Sequence, residues 1–234
     1  MNDRRDELAR GLAAVHERIA RSCATAGRPA EEVTLVVVTK FFPASDVRLL
    51  HELGVRHVAE NRHQEAVAKR EECADLGLTW HFVGGLQSNK AAAVGGWADV
   101  VQSVDRPKLL PGLTRAAHER DRPLDVLLQV SLDPPGSGTG RSGVAPAGAG
   151  ALAAAVQGAE GLRLRGVMGV APLGGDPAEA FALLARVAGD VRTVEPAATW
   201  VSAGMSGDLE AAVEAGATHV RVGSAVLGNR PSRR

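Results

Sequence analysis

The first residue that could do covalent chemistry is Lys40, which follows a nearly continuous run of β-branched and aliphatic residues at 33–39. Such a run predicts a strand buried on both faces, as in parallel sheets. A lysine at the carboxyl end of that strand, followed by Phe41 and Phe42, is partly desolvated, which favours its neutral amine and lets it attack a carbonyl to form a Schiff base. The alternative is a lysine whose ammonium simply reaches water along an apolar stem, and position alone leaves both interpretations open.

A second set of residues lies near the other end of the sequence, where two predicted strands are followed by small polar residues. Ser202 ends one strand, and Gly223 and Ser224 end the next. A glycine allows close backbone approach, and serine adds a hydroxyl, so this pair of strand ends predicts a phosphate site. Taken singly, Gly223 is an ordinary turn residue and Ser206 an ordinary helix cap. Together with Lys40, the pattern points to a phosphate-bearing aldehyde.

Arg221 precedes Gly223 by two positions and therefore shares its side of the strand. It could pair with a carboxylate. If it instead faces a pyridine ring, it cannot give up a proton, so the ring nitrogen stays unprotonated and the ring withdraws electrons poorly.

Two other kinds of site fit the sequence less well. The segment Gly138-x-Gly140-x-x-Gly143 resembles a nucleotide-binding loop, but Pro134 and Pro135 separate it from the preceding strand, so a plain glycine- and proline-rich loop at 133–143 is expected. The histidines show no metal-ligand spacing, and His81 is expected to be a hydrogen-bonded interior residue. No metal site is predicted.

Composition narrows the class of protein. The 234 residues carry 27 Lys+Arg against 27 Asp+Glu, so no positive field favours nucleic acid. No apolar run is long enough to cross a bilayer, and the polar start does not resemble a secretory signal. The two cysteines form no paired framework, which is typical of a reducing compartment, so we expect a cytoplasmic protein. The sequence contains no tyrosine.

The elements that must position these residues alternate along the chain. Residues 3–25 carry an apolar stripe of Leu8, Leu12, Val15 and Ile19, which predicts an amphipathic helix that packs on a core. Strands are predicted at 33–39, 55–60, 79–84, 99–103, 124–131, 163–170, 198–203 and 218–223. Helices are predicted at 43–53, 62–76, 107–120, 147–157 and 177–194. Eight βα units favour one α/β domain over 1–234, a closed (β/α)8 TIM barrel with an additional N-terminal helix, over an open Rossmann-like sheet.

Several stretches, taken in order, resemble the pyridoxal phosphate homeostasis protein family across nearly the whole chain. The most specific is 80–90, from Trp80 to Lys90. The supporting stretches are 38–40, 59–65, 166–170, 202–206 and 220–224.

The resemblance implies a barrel similar to the alanine racemase N-terminal domain, holding pyridoxal 5'-phosphate (PLP) as a Schiff base on Lys40. It further implies that Ser202, Gly223 and Ser224 hold the phosphate, that Arg221 faces the pyridine nitrogen and that Asn61 lies near the cofactor. The sequence departs from the family pattern at Arg62, where tyrosine is usual, and at Ser224, where threonine is commoner. Ala203 and Arg141 also differ from the family's usual residues.

Two functions from different classes follow. The first is a PLP carrier without established catalysis, which buffers the aldehyde and passes it to PLP-dependent apoenzymes. The second is a PLP-dependent amino-acid racemase, which needs a base on each face of its substrate and takes one from a tyrosine on a further domain. The absence of tyrosine and the end of the chain soon after the eighth strand favour the carrier, and a monomer is expected.

Overall fold

Eight parallel strands form a closed barrel in which sequence neighbours pair and β1 also pairs with β8. The structure is a computed structural model that describes residues 2–134 and 142–229. The strands are β1 (Thr34–Val38), β2 (His57–Glu60), β3 (Thr79–Phe82), β4 (Val100–Val104), β5 (Leu124–Val130), β6 (Leu162–Gly169), β7 (Trp200–Ser202) and β8 (His219–Val222). Because β1 pairs in parallel with both β2 and β8, the sheet is a closed ring, and the alternative of an open sheet is wrong.

Helices surround this ring. They are α1 (Asn2–Thr25), α2 (Ala44–Glu52), α3 (His63–Glu72), α4 (Ala91–Gly95), α5 (Leu110–Glu119), α6 (Ala149–Gln157), α7 (Pro177–Val194), α8 (Leu209–Glu214) and α9 (Ser224–Leu227). Short 3-10 turns at Ala74–Leu76 and Pro107–Leu109 occupy ends of two segments predicted as continuous helix. Gly54 and Gly216 follow α2 and α8 and have φ values of +96° and +93°, the left-handed conformation in which glycine ends a helix.

The first helix completes the outer layer. The helix after β8, α9, has only four residues, and α1 packs against both α8 and α9 through the predicted stripe, whose four residues are 5% exposed or less. Arg4 pairs with Asp46 at the start of α2, and Arg18 makes a two-pronged contact with Glu210 of α8. α1 therefore lies between the helices of the last and first βα units.

The glycine and proline-rich loop at 133–143 lies only partly within the described residues, so the nucleotide alternative at 138–143 falls mostly outside them. None of the helices in the described ranges combines the length and apolar character that crossing a membrane requires.

Candidate functional site

A cavity of about 640 Å³ opens at the carboxyl edge of the barrel. Five of the six residues predicted to bind the cofactor line it, namely Lys40, Asn61, Arg221, Gly223 and Ser224. They come from the ends of β1, β2 and β8, since the carboxyl ends of parallel strands meet at one edge of a barrel. The cavity walls are otherwise largely apolar or glycine.

Lys40 sits in a tight turn that begins directly after β1. The amide of Phe42 donates to the carbonyl of Thr39 at 3.1 Å, which closes the turn around Lys40. Phe41 has a φ of +71°, a backbone conformation that bulky residues rarely adopt. Its amide donates to Oε1 of Glu65 at 2.5 Å, so a side chain from α3 holds the turn in place.

A buried charged cluster lies behind this turn. Lys69 Nζ donates to Glu60 at 2.5 Å, to Glu65 at 3.2 Å and to the carbonyl of Thr39 at 2.9 Å. The Thr39 hydroxyl also donates to Glu60 at 2.6 Å. Burial raises the pKa of Glu60, and Lys69 and Thr39 oppose that rise. The cluster fixes the backbone on either side of the turn that presents Lys40.

The other lysines of the sequence are placed differently. Lys69 is buried and bound within the charged cluster. Lys90 lies on the 3-10 turn Ser88–Lys90 and lines a neighbouring cavity. Lys108 lies in an outer turn. Lys40 is half-buried, with its Nζ 5.9 Å from the centre of the Phe41 ring. Among the lysines, Lys40 is the one whose side chain belongs to the cavity at the strand ends.

Two hydroxyls meet on the side of the cavity formed by the loops after β7 and β8. Ser206 Oγ lies 3.2 Å from Ser224 Oγ and accepts a hydrogen bond from the amide of Ala225 at 3.3 Å. A turn closed by Met205 N donating to Asp208 Oδ1 at 2.6 Å holds Ser206 in position. Ser206, which the sequence predicts only as a helix cap, lines the cavity. Its position in the loop after β7, opposite Ser224, was the available signal.

Close backbone approach explains two glycines at the cavity wall. A Cβ on Gly223 would lie 3.2 Å from the carbonyl oxygen of Val38, and one on Gly84 would overlap the carbonyl of Asn61. Gly84 therefore allows β3 to press against the residue that follows β2. Oδ1 of Asn61 is buried and has no hydrogen-bond partner among the described residues, so it is available to a ligand.

Arg221 forms part of the cavity floor and is 4% exposed. Its Nη2 donates to the carbonyl of Gly169 at 2.8 Å and its Nη1 to Oγ of Ser202 at 2.6 Å. Burial lowers the pKa of Arg221 to about 10, with Asp208 acting in the opposite direction. The guanidinium therefore keeps its charge at neutral pH and offers only donors to whatever lies above it.

Ser202, the sixth predicted residue, lies below the cavity rather than on its wall. It is fully buried, its oxygen accepts from Arg221, and its one hydrogen is donated to Gln102 Oε1 at 2.7 Å. The predicted contact between Ser202 and a phosphate stays a prediction, and in this structure the hydroxyl contacts Arg221 and Gln102 instead of the cavity. The physical reason is that the side chain of the last residue of β7 points into the barrel interior.

His81 is a fully buried, hydrogen-bonded residue, as predicted, with contacts to His57 at 3.0 Å and Gln102 at 2.9 Å. In residues 2–134 and 142–229, no group of three or more histidine, cysteine or acidic side chains is arranged to hold a metal ion.

Comparison with known proteins agrees with this architecture. The family described as alanine racemase, N-terminal domain, matches residues 12–231. A pyridoxal phosphate homeostasis protein of Mycobacterium bovis is 45% identical, over 99% of this chain and 96% of its own length. The chain belongs to the pyridoxal phosphate homeostasis protein family.

Two solved structures share this barrel fold. PipY of Synechococcus elongatus, solved with PLP bound, has a TM-score of 0.80 at 36% identity, covering 94% of this chain and all of its own. An alanine racemase of Clostridium difficile has a TM-score of 0.72 at 16% identity, covering 97% of this chain and 57% of its own, and shows the shared barrel alone. The predicted fold class, a TIM barrel like the racemase N-terminal domain with an added N-terminal helix, is confirmed.

Proposed function

We propose that this chain binds PLP in the cavity at the carboxyl edge of the barrel and serves in PLP homeostasis as a carrier. The observation that carries the proposal is that Lys40, Arg221 and the paired hydroxyls of Ser206 and Ser224 line one cavity. The family membership and the PLP-bound relative support it.

The residues present fit the cofactor. The unpartnered Oδ1 of Asn61 and the wall left open by Gly223 leave polar and steric room for a ring bearing polar groups. The chemistry that PLP supplies is an aldehyde, which condenses with an amine as a C=N bond forms and water leaves. Lys40 supplies that amine.

The remaining residues bind and orient. We assign Ser224, Ser206 and the backbone at Gly223 to the phosphate, because hydrogen bonds from hydroxyls to an anion are among the stronger ones. Arg221 lies where it can face the ring nitrogen, and as a permanent donor it keeps that nitrogen unprotonated. Asn61, whose buried Oδ1 has no partner among the described residues, would contact the cofactor from the end of β2.

A carrier fits this chain better than a racemase. Within the described residues, the cavity wall carries no histidine, carboxylate or thiol, and Lys40 is the one amine on it. Racemisation needs a base on each face of the substrate. The chain contains no tyrosine to provide the second. Sustained PLP-dependent racemisation of any free amino acid by the purified protein would overturn the carrier proposal.

The direct test is the visible absorbance of the purified protein with and without added PLP. Borohydride reduction followed by peptide mapping should label Lys40, and Lys40→Arg should abolish the label. Lys90→Arg is the matched control, because Lys90 lies in the neighbouring cavity and its loss should leave the label on Lys40. A protein that stays colourless, or a label on Lys90, would refute the assignment.

Delivery to PLP-dependent apoenzymes and a monomeric state complete the proposal. Light scattering on the PLP-loaded protein tests the monomer, and transfer of PLP to an added apoenzyme, followed by recovery of that enzyme's activity, tests delivery.

A further inference from the structure

A line of hydrogen bonds crosses the barrel interior from the cavity floor towards its opposite end. Arg221 Nη1 contacts Ser202 Oγ at 2.6 Å, and Ser202 contacts Gln102 Oε1 at 2.7 Å. Gln102 Nε2 contacts His81 Nδ1 at 2.9 Å, and His81 Nε2 contacts His57 Nδ1 at 3.0 Å. The line joins side chains of β8, β7, β4, β3 and β2.

The chemistry of Arg221 sets the direction of every bond in this line. A guanidinium has no acceptor, so Ser202 must accept from it and has one hydrogen left to donate. That hydrogen goes to the carbonyl of Gln102, whose amide group then donates to Nδ1 of His81. His81 must therefore carry its own hydrogen on Nε2 and donate it to His57. The reverse order would leave the Ser202 hydrogen buried without an acceptor, which is costly.

Because most of these side chains are buried, they have no water to replace the hydrogen bonds of this line. Ser202, Gln102 and His81 are fully buried, so each depends on the others for its hydrogen bonds. His57 is half-buried and lines a cavity of about 750 Å³ with residues from the starts of the strands. Burial lowers the pKa of His81 well below 6.5, with His57, His219 and Arg221 acting in the same direction, so the ring stays neutral with one definite tautomer.

We propose that Gln102 and His81 are positioning residues for the cofactor, which hold the Ser202 hydroxyl in its accepting orientation and so fix the Arg221 guanidinium under the ring. This rests on the proposed function in one respect, that Arg221 faces bound PLP. The tautomer of His81 is independent of any ligand.

The tautomer is tested first, in the protein without PLP. Nitrogen-15 labelling of histidine and long-range proton–nitrogen correlation should show His81 with its hydrogen on Nε2 and a bare Nδ1. Gln102→Glu places an acceptor against His81 and should move that hydrogen to Nδ1. A wild-type His81 protonated on Nδ1 would overturn the proposal, whether or not any variant folds.

The consequence for PLP is tested with Gln102→Leu, which removes both of the amide's hydrogen bonds. We expect a shifted absorbance maximum of the bound cofactor and about a tenfold faster release, as for the loss of one net hydrogen bond. Ser103→Ala is the matched control, because Ser103 is the next residue of β4 and its buried hydroxyl has no partner among the described residues. An unchanged spectrum and release rate in Gln102→Leu would refute the positioning role.

The two proposals fail in different ways. If borohydride labels Lys40 in both wild type and Gln102→Leu and their spectra coincide, PLP binding stands and the positioning role falls. If wild type is not labelled at all, the proposed function falls, while the tautomer result still reports on the hydrogen-bonded line.

Discussion

Ser202 and Ser206 lie four positions apart, yet their hydroxyls have different surroundings. Ser202 is enclosed by Arg221 and Gln102, whereas Ser206 lies at the cavity wall beside Ser224. Under the proposed assignment, a phosphate would contact Ser206 and Ser224 directly, and Ser202 would act only through Arg221. Under that assignment, Ser206 helps to bind the anion and Ser202 orients the guanidinium of Arg221.

Replacing Ser206 with alanine should weaken PLP binding about 10- to 100-fold, because one hydrogen bond to a charged group is lost. The measurement is a titration followed by absorbance. Pyridoxal, which lacks the phosphate, is the control ligand, and its affinity should be the same for Ser206→Ala and wild type. Equal losses for both ligands would show that Ser206 does not contact the phosphate.

The sequence predicts which residues surround the cofactor site, but it does not predict how deeply each side chain is buried. Lys40, Gly223 and Ser224 follow strands that the apolar pattern marks clearly, so their placement at one edge could be predicted. Whether the last residue of a strand points into the barrel or out to the cavity depends on a boundary of one residue. The apolar pattern predicts β7 at 198–203, and the structure places it at Trp200–Ser202. Ser202 is buried inside the barrel, whereas Ser206 lies at the cavity wall.

At the scale of elements, α3 holds the turn that carries Lys40. The carboxylate of Glu65 holds the amide of Phe41, and Lys69, one helical turn later, reaches the carbonyl of Thr39. The buried Glu60 at the end of β2 completes the arrangement. Two neighbouring βα units are thereby joined at the turn that carries Lys40.

Replacing Lys69 with methionine should lower the free energy of unfolding by about 3–5 kcal/mol, because it leaves the buried carboxylate of Glu60 without its partner. Urea unfolding measures the change. A Glu60→Gln/Lys69→Met double variant should recover part of the loss, since it removes both charges. Lys108→Met serves as the control and should change stability by no more than about 0.5 kcal/mol. Similar stabilities for the single and double variants would contradict this account.

The elements themselves were largely predictable, since all eight strands lie at the predicted places and differ by one or two residues at their ends. The ion cluster was not, because the contact that buries it joins Lys69 of α3 to Glu60 at the end of β2, and no sequence spacing marks that pair. Charge patterns on single elements carry no information on which neighbouring element supplies the partner.

At the scale of the whole molecule, buried histidines make stability depend on pH. Burial lowers the pKa of His219 from 6.5 to about 3, and it also lowers those of His57 and His81. The unfolded chain therefore binds more protons than the folded one below pH 6.5. The stabilising effect of keeping these rings neutral is complete above that pH and is lost as the pH falls towards about 3.

Between pH 6.5 and 5, His219→Asn should therefore reduce the slope of the free energy of unfolding against pH, by at most about 1.4 kcal/mol per pH unit for one proton. Denaturant unfolding at several pH values gives the slopes. His16→Asn, at an exposed position on α1, is the control and should leave the slope close to that of wild type. An unchanged slope in His219→Asn would show that this ring is not held neutral.

The position of α1 has a consequence for how the protein acquires its fold during synthesis. α1 emerges from the ribosome before every strand of the barrel, but the surfaces that bury its apolar stripe belong to α8 and α9, which emerge after every strand up to β7 has been made. Such sequence-distant docking slows folding. During synthesis the leucines of α1 therefore stay exposed until α8 and α9 have been made. α1 is the segment to which a chaperone would have access for the longest time.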